Sequence, residues 1–228
     1  MSTNNYLVNG KRFGWGPGIV KINPDKANLL KKYAKGKCLD LGFGSGIYTK
    51  YLYDLGHEVT ALDNQTSFVE TAIKNYPDIT FMVGKAEKLP FANNQYDTVV
   101  AFDILEHIDD KKTLTEIFRV TKRLIFSVPL QNQEILLRFG LSHAHYLDQT
   151  HLRTYTLQSA KELFPKKKYK RVFLKGSLPL SISGLLIDQL SNKIFLKKLL
   201  LKSILKPFLP EPPLFSTIFG VIDRKTKP

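Results

Sequence analysis

Residues 37–63 read KCLDLGFGSGIYTKYLYDLGHEVTALD. A short apolar run leads straight into Gly42-Phe43-Gly44-Ser45-Gly46. A helical pattern from Ser45 to Leu55 follows, and a second apolar run, Glu58 to Asp63, ends on a carboxylate. This is a strand, a glycine turn, a crossover helix and a second strand, the repeating unit of a parallel α/β sheet. The glycines clear side chains from the tip of a strand, where a ligand must approach the backbone. The helix behind them offers unpaired N–H groups and a positive dipole end to an anionic group. Asp40 sits at the first strand tip, where it can face an ammonium group. Asp63 ends the second strand, 17 residues after Gly46, and can accept hydrogen bonds from both hydroxyls of a ribose. Together these features point to a ligand that contains adenosine.

The alternation continues outward on both sides. Residues 24–34 read as a leading helix with Pro24 at its start. A helix over 66–75 is stopped by Tyr76-Pro77. Residues 79–84, 97–102 and 123–129 read as strands 3 to 5, with helices over 111–120 and 156–164. Strand 6 is expected at 169–176 and strand 7 at 214–225. Residues 177–213 are apolar, basic and punctuated by proline, and are far longer than a turn between neighbouring strands. They are expected to form a helical insertion with a binding role, with helices over 185–190 and 194–205. The chain thus divides into a leading segment, 1–35, a sheet domain, 36–176 with 214–228, and the insertion, 177–213.

The glycine spacing separates two kinds of adenosine ligand. A dinucleotide fingerprint, G-x-G-x-x-G, needs a glycine at position 47, which is Ile47. Here Asp40 stands two residues before a G-x-G-x-G turn. Ala86-Glu87-Lys88-Leu89-Pro90-Phe91 precedes strand 4, and Tyr96-Asp97 leads into VVAFDILEHI. As a set, over about residues 36–130, these phrases resemble the class I S-adenosylmethionine-dependent methyltransferases. The resemblance implies a Rossmann-like, doubly wound, seven-stranded α/β sheet, mostly parallel with the last strand antiparallel, and helices on both faces. It implies S-adenosylmethionine as cofactor. It assigns Asp40, Gly42, Gly44 and Gly46 to the methionine end, Asp63 to the ribose, and Asn64 and Gln65 to the flanks of the adenine. Ala86 and Glu87 would close over the adenine, and Asp103 would face the sulfonium. Many relatives carry Asp where this chain has Lys85, and a lysine cannot accept a bond from the adenine amino group.

Acceptor-side groups should lie beyond strands 4 and 5, outside the carboxyl ends of the sheet. One cluster is Asp103-Ile104-Leu105-Glu106-His107 with Asp109 and Asp110. The other runs from His143-Ala144-His145-Tyr146 to Asp148-Gln149-Thr150-His151-Leu152-Arg153. The second is similar to a D-x-T-H-x-R segment of small-molecule and glycan methyltransferases. His151 and His107 are the candidates for base or acceptor orienter, against a structural role in the loop or the strand-4 turn. Asp103, Glu106, His107 and Asp110 imitate the E-x-x-E-H set by which some quinone-pathway relatives bind Mg²⁺. Asp103 is shorter than Glu, and Asp109-Asp110 can cap a helix, so no metal is expected. Ser127-Val128-Pro129-Leu130 does not match the N/D-P-P-Y/F phrase of nucleic-acid amino methyltransferases. Tyr6, Phe13 and Trp15 are candidates for packing or a lid.

The net charge of +14 is unevenly placed. From Lys166 onward 14 Lys or Arg face three Asp or Glu, whereas the first 165 residues hold 20 against 17. Such asymmetry suits an anionic partner surface. The segment 180–210 is the candidate for peripheral membrane contact; nucleic acid is disfavoured, because aromatics are not interleaved with the lysines. The single cysteine, Cys38, excludes an internal disulfide and reads as a small core residue. The first residues show no basic-then-apolar signal pattern, and no run is long enough to span a bilayer, so a cytoplasmic protein is expected. The activity expected is methyl transfer to a small molecule, with a lipid, quinone-like or glycan acceptor favoured. RNA methylation and cofactor binding without catalysis are the alternatives.

Overall fold

A computed structural model describes residues 21–141, 148–191, 195–208 and 213–225. Tyr6, Phe13, Trp15, His143, Ala144, His145 and Tyr146, singled out above, lie outside the described residues.

The elements follow the expected order. They are α1 (Pro24–Tyr33), β1 (Lys37–Leu41), α2 (Ile47–Asp54), β2 (Glu58–Asp63), α3 (Thr66–Asn75), β3 (Thr80–Val83) and β4 (Thr98–Phe102). Then come α4 (Asp110–Val120), β5 (Arg123–Pro129), a short α5 (Gln133–Leu137), α6 (Leu157–Leu163) and β6 (Tyr169–Leu180). The insertion forms α7 (Ile182–Ser191), α8 (Phe195–Leu205) and a 3₁₀ turn (Lys206–Phe208) before β7 (Leu214–Arg224). The seven strands are ordered β3-β2-β1-β4-β5-β7-β6. The first five run parallel, and β7 lies antiparallel between β5 and β6.

Strand periodicity builds two cores. Leu39, Leu41, Val99, Ala101, Leu124 and Phe126 point to the face covered by α4 and α6. Their neighbours Cys38, Val100 and Ile125 point to the opposite face, under α1, α2 and α3. A strand buried on both sides has no polar face, which is why these runs are continuously apolar. Cys38 is fully buried, and burial pushes its thiol up to about 12, as befits an inert core residue.

Caps and pairs fix the ends. Asn23 accepts from the Asp25 and Lys26 amides at the start of α1, and Asp109 accepts from the Lys112 amide at the start of α4. Thr156 and Ser159 form a reciprocal capping box on α6. Arg123 forks onto Asp223 with two bonds of 2.7 Å, locking β5 to β7.

The largest boundary difference from the sequence reading lies at β6, and α7 also starts at Ile182 rather than Leu185. β6 continues past Gly176 to Leu180, because Ser177 to Leu180 keep pairing with β7 up to Leu214. The insertion is therefore rooted at Ser181 rather than Ser177, and the turn of α5 was not foreseen.

Candidate cofactor and acceptor site

The tips of β1, β2 and β4 meet at the carboxyl end of the sheet. Gly42, Gly44 and Gly46 adopt φ of 71°, 56° and 75°, a left-handed turn that side chains disfavour. At Gly42 a Cβ would also lie 2.5 Å from Ile104 Cδ1. Gly46 is the N-cap of α2 and supplies no side chain to cap it, so the first amides of α2 remain available.

Asp63 is locked against this turn. Its Oδ2 accepts from the Gly44 amide at 3.1 Å, and its Oδ1 accepts from the Gln65 amide at 2.9 Å. A carboxylate offers about four lone-pair sites, so acceptor capacity for two vicinal hydroxyls is left. Burial raises its pKa, and the amides of Gln65, Gly44 and Asn64 pull it back. Asp40 is buried under the turn, where Thr49 Oγ1 donates to its Oδ2 at 2.6 Å. Burial, aided by Asp63, pushes Asp40 up to about 6. Asn64 is exposed, Gln65 and Glu87 are half-buried, Ala86 is buried and Lys85 is exposed. The loop holding Ala86 and Glu87 is clamped from α4: Glu116 accepts from the Leu89 amide, while Arg119 donates to the carbonyls of Leu89 and Phe91.

Asp103 directly follows β4 and has φ of 52°, an outlier for a residue with a side chain. Ser127 Oγ donates to its Oδ1 at 2.6 Å, and Lys26 Nζ donates to its Oδ2. Partial desolvation opposes ionisation of Asp103, whose side chain is still 44% exposed, and Lys26 and Ser127 hold its pKa below the usual range. Lys26 itself is 6% exposed, with Nζ 5.0 Å from the Phe102 ring centre and 5.6 Å from that of Tyr48. Burial disfavours its charge; Asp103 restores it. A buried cation thus stands beside Asp40 and Asp103.

Beyond β4 the chain turns through Glu106 and His107, and residues 148–155 clasp that turn. Thr150 Oγ1 donates to Asp148 Oδ1 at 2.6 Å and lies 2.8 Å from His107 Nδ1. Having spent its proton on Asp148, the hydroxyl accepts from His107 Nδ1–H. The lone pair of His107 then resides on Nε2. Arg153 donates to the carbonyls of Leu105 and Ile108, and the Leu152 amide donates to that of Glu106. The rings of His107 and His151 meet edge to face at 4.6 Å, and His151 Nε2 lies 3.7 Å from Asp148 Oδ2. Burial lowers both histidine pKa values, assisted for His107 by His151, so both rings are neutral near pH 7. Glu106 is fully buried, and neither carboxyl oxygen has a hydrogen-bond partner. Burial, with Asp103 adding, raises its pKa well above the usual range.

The structure brings most of the expected residues together: Asp40, the three glycines, Asp63 and Asp103 line the strand tips, and His107 and His151 touch. It does not assemble the carboxylate–histidine set imitated in the sequence. Asp109 caps α4, and Asp110 accepts from Tyr155 Oη at 3.0 Å. A different trio, Glu106, His107 and His151, places ligand atoms within 4.8 Å of one another and can hold a metal ion. Sequence reasoning missed Lys26 and Ser127. Each carried a signal: Lys26 sits in the first turn of a helix, against the dipole, and Ser127 interrupts an apolar strand.

The segment that carries the glycine turn and the Asp63 cradle is similar to the class I S-adenosylmethionine-dependent methyltransferase domain. Residues 39–124 match the family described as "Methyltransferase domain". Over 87 residues the chain is 36% identical to demethylmenaquinone methyltransferase from Paenarthrobacter aurescens, covering 38% of this chain and 34% of that protein. The chain spans about a third to two-fifths of the length of the curated relatives it matches. An S-adenosylmethionine-dependent methyltransferase from Archaeoglobus fulgidus superposes with a TM-score of 0.64 at 16% identity, covering 96% of this chain and 99% of that one. The [4+2]-cyclase SpnF superposes with a TM-score of 0.59 at 14% identity, covering 89% and 82%. The fold alone therefore does not fix the reaction. S-adenosylmethionine is the cofactor of the domain class, and the bare turn, the uncapped start of α2 and the spare acceptor sites of Asp63 fit it.

Proposed function

We propose that the protein transfers a methyl group from S-adenosylmethionine to a small amphiphilic molecule, lipid or quinone-like. The observation that carries this reading is the Asp63 carboxylate tied by the Gly44 amide to a three-glycine turn. Bound there, the cofactor supplies an electrophilic methyl group on sulfur. The chain's own residues do the rest. Asp63 accepts the ribose hydroxyls. Asp40 faces the ammonium and Lys26 the carboxylate of the amino-acid end. Asp103, held by Lys26 and Ser127, fixes the wall beside the sulfur. Methyl transfer is an in-line displacement, so alignment and exclusion of water carry most of the catalysis. An oxygen acceptor must also lose a proton, and neutral His107 can take it on Nε2. His151 and the buried Glu106 carboxyl stand beside His107 and help to position it. The likeness to a quinone methyltransferase supports the acceptor class.

Calorimetry with S-adenosylmethionine and its demethylated product tests the cofactor part: both should bind in the micromolar range. Asp63→Ala should lose about tenfold or more, one to two charge-assisted hydrogen bonds. Absence of binding by both ligands sinks the reading. Mass spectrometry of cell extracts, with and without the enzyme, should find acceptors that gain one CH₂. Binding without any such gain would favour cofactor binding without catalysis.

A further inference from the structure

We propose that the end of the molecule that bears the site docks on an anionic lipid bilayer, with α7, α8 and the 3₁₀ turn as the contact. The topology places the insertion there. β5 ends at Pro129, opposite Thr217, whereas the β6–β7 pair continues to Leu180 opposite Leu214. The hairpin thus overhangs the carboxyl end of the sheet, and the insertion springs from that overhang. Gly42, Asp63 and Asp103 lie at the same end.

The surface at this end is apolar and basic. Ten large hydrophobic side chains are exposed among the described residues, and seven of them lie between 135 and 208. Leu190, Leu200, Ile204 and Phe208 on the insertion are 52%, 61%, 53% and 85% exposed. Leu137 ends α5, which packs on α7 through Leu136 and Ile182, and is 58% exposed; Leu152, bonded through its amide to Glu106 on the acceptor side, is 65% exposed. On α8, Lys197, Leu200 and Ile204 are spaced i, i+3 and i+7 and share a face, and Lys197 and Lys202 are exposed. Residues 181–213 hold five lysines against Asp188 and Glu211. Aliphatic side chains flanked by lysines on short helices are the chemistry of an interfacial helix, apolar into the acyl boundary and cations against anionic headgroups. No helix among the described residues is long and apolar enough to cross a membrane, so the contact is peripheral. Nucleic acid is a poorer occupant: Phe208 is the one exposed aromatic in the group, and bases stack on aromatic faces. Resting on the methyl-transfer reading, the docked orientation lets an acceptor dissolved in the bilayer reach the site without crossing water.

The test is co-sedimentation of the full chain with phosphatidylcholine vesicles that contain or lack phosphatidylglycerol, at low and high salt. The protein should pellet with anionic vesicles and be released by salt. The triple variant Leu200→Glu, Ile204→Glu, Phe208→Glu should lose about tenfold or more in vesicle partitioning. Lys197→Glu with Lys202→Glu should weaken it less. These positions face solvent, so melting temperature and S-adenosylmethionine affinity should match the parent. Docking is overturned if the parent stays in the supernatant with anionic vesicles, or if the triple variant binds equally. It is also overturned if sedimentation velocity shows a dimer that the triple variant dissolves, or if RNA competes the protein off vesicles. Vesicle binding without cofactor binding would sink the methyl-transfer reading and leave docking standing; the reverse would sink docking alone.

Discussion

Lys26, in the first turn of α1, donates to Asp103 at the tip of β4, 77 residues away in sequence. The helix N-terminus disfavours a cation at that place, and so does burial. Asp103 in turn sits at a φ that costs a residue with a side chain about 1 kcal/mol. Two locally unfavourable choices converge on one ion pair at the mouth of the half-site, the pattern expected of a functional position.

If Lys26 faces the cofactor's carboxylate, Lys26→Met should weaken S-adenosylmethionine and its demethylated product equally, by about tenfold, the scale of one charge-assisted hydrogen bond. Decarboxylated S-adenosylmethionine should bind the variant and the parent alike. Asp103 is 44% exposed on its side chain, so water can solvate it once Lys26 is gone, and the variant should fold. Equal losses for all three ligands would refute the assignment.

Asp40 gives a pH signature. Burial holds its carboxyl up to about 6. Below that pH the free protein keeps a proton on Asp40, and a cationic ammonium gains nothing from it. Affinity for S-adenosylmethionine should therefore rise as pH climbs through about 6 and then level off. Calorimetry at pH 5 in buffers of different ionisation heat should show proton release on binding. Asp40→Asn should bind weakly at every pH and release no proton.

Much of this site is legible in the sequence, and the reason is local. Asp40, the glycines and Asp63 are fixed by the conformation of their own strands and turn, and that information lies within 27 residues. The clasp of 148–155 on the Glu106–His107 turn is not local: Thr150 lies 43 residues from His107 and Arg153 lies 45 from Ile108. Spacing cannot reveal such a meeting, although both segments could be marked as polar clusters beyond the strand tips. The length of β6 was missed because proline punctuates the chain after Gly176, while pairing with β7 carries the strand through Pro179.

Glu106 predicts an unusual stability profile. Its pKa in the folded state lies well above the ordinary value of 4.5, so the folded protein holds a proton that the unfolded chain releases. Stability should fall as pH rises above about 4.5, until the folded carboxyl itself ionises. Asp40 contributes a slope of the same sign, confined to the range from 3.8 to about 6. Glu106→Gln keeps the shape and removes the titration. The melting temperature of the variant should gain on that of the parent from pH 5 to pH 8. Parallel curves would mean that Glu106 has a proton donor in solution.

The relay from His107 through Thr150 to Asp148 carries the last prediction. Because Thr150 Oγ1 donates to Asp148 at 2.6 Å, it receives the Nδ1 proton of His107 and leaves Nε2 basic. Nitrogen NMR of labelled imidazoles should show Nδ1 protonated and Nε2 bare at pH 7, and an apparent pKa for His107 below 6.5. Thr150→Val removes the acceptor, so both tautomers should appear. With an acceptor in hand, that variant should lose about tenfold or more in kcat, part of the 10²–10⁴ a positioned base contributes. Its S-adenosylmethionine affinity should not change, since Thr150 makes no contact with the glycine turn or Asp63. His107→Gln should lose more and should flatten the acidic limb of the pH–rate profile, while His151→Gln should keep that limb. If His151→Gln flattens the limb and His107→Gln does not, the proton goes to the other ring, and the 2.8 Å relay only braces the turn.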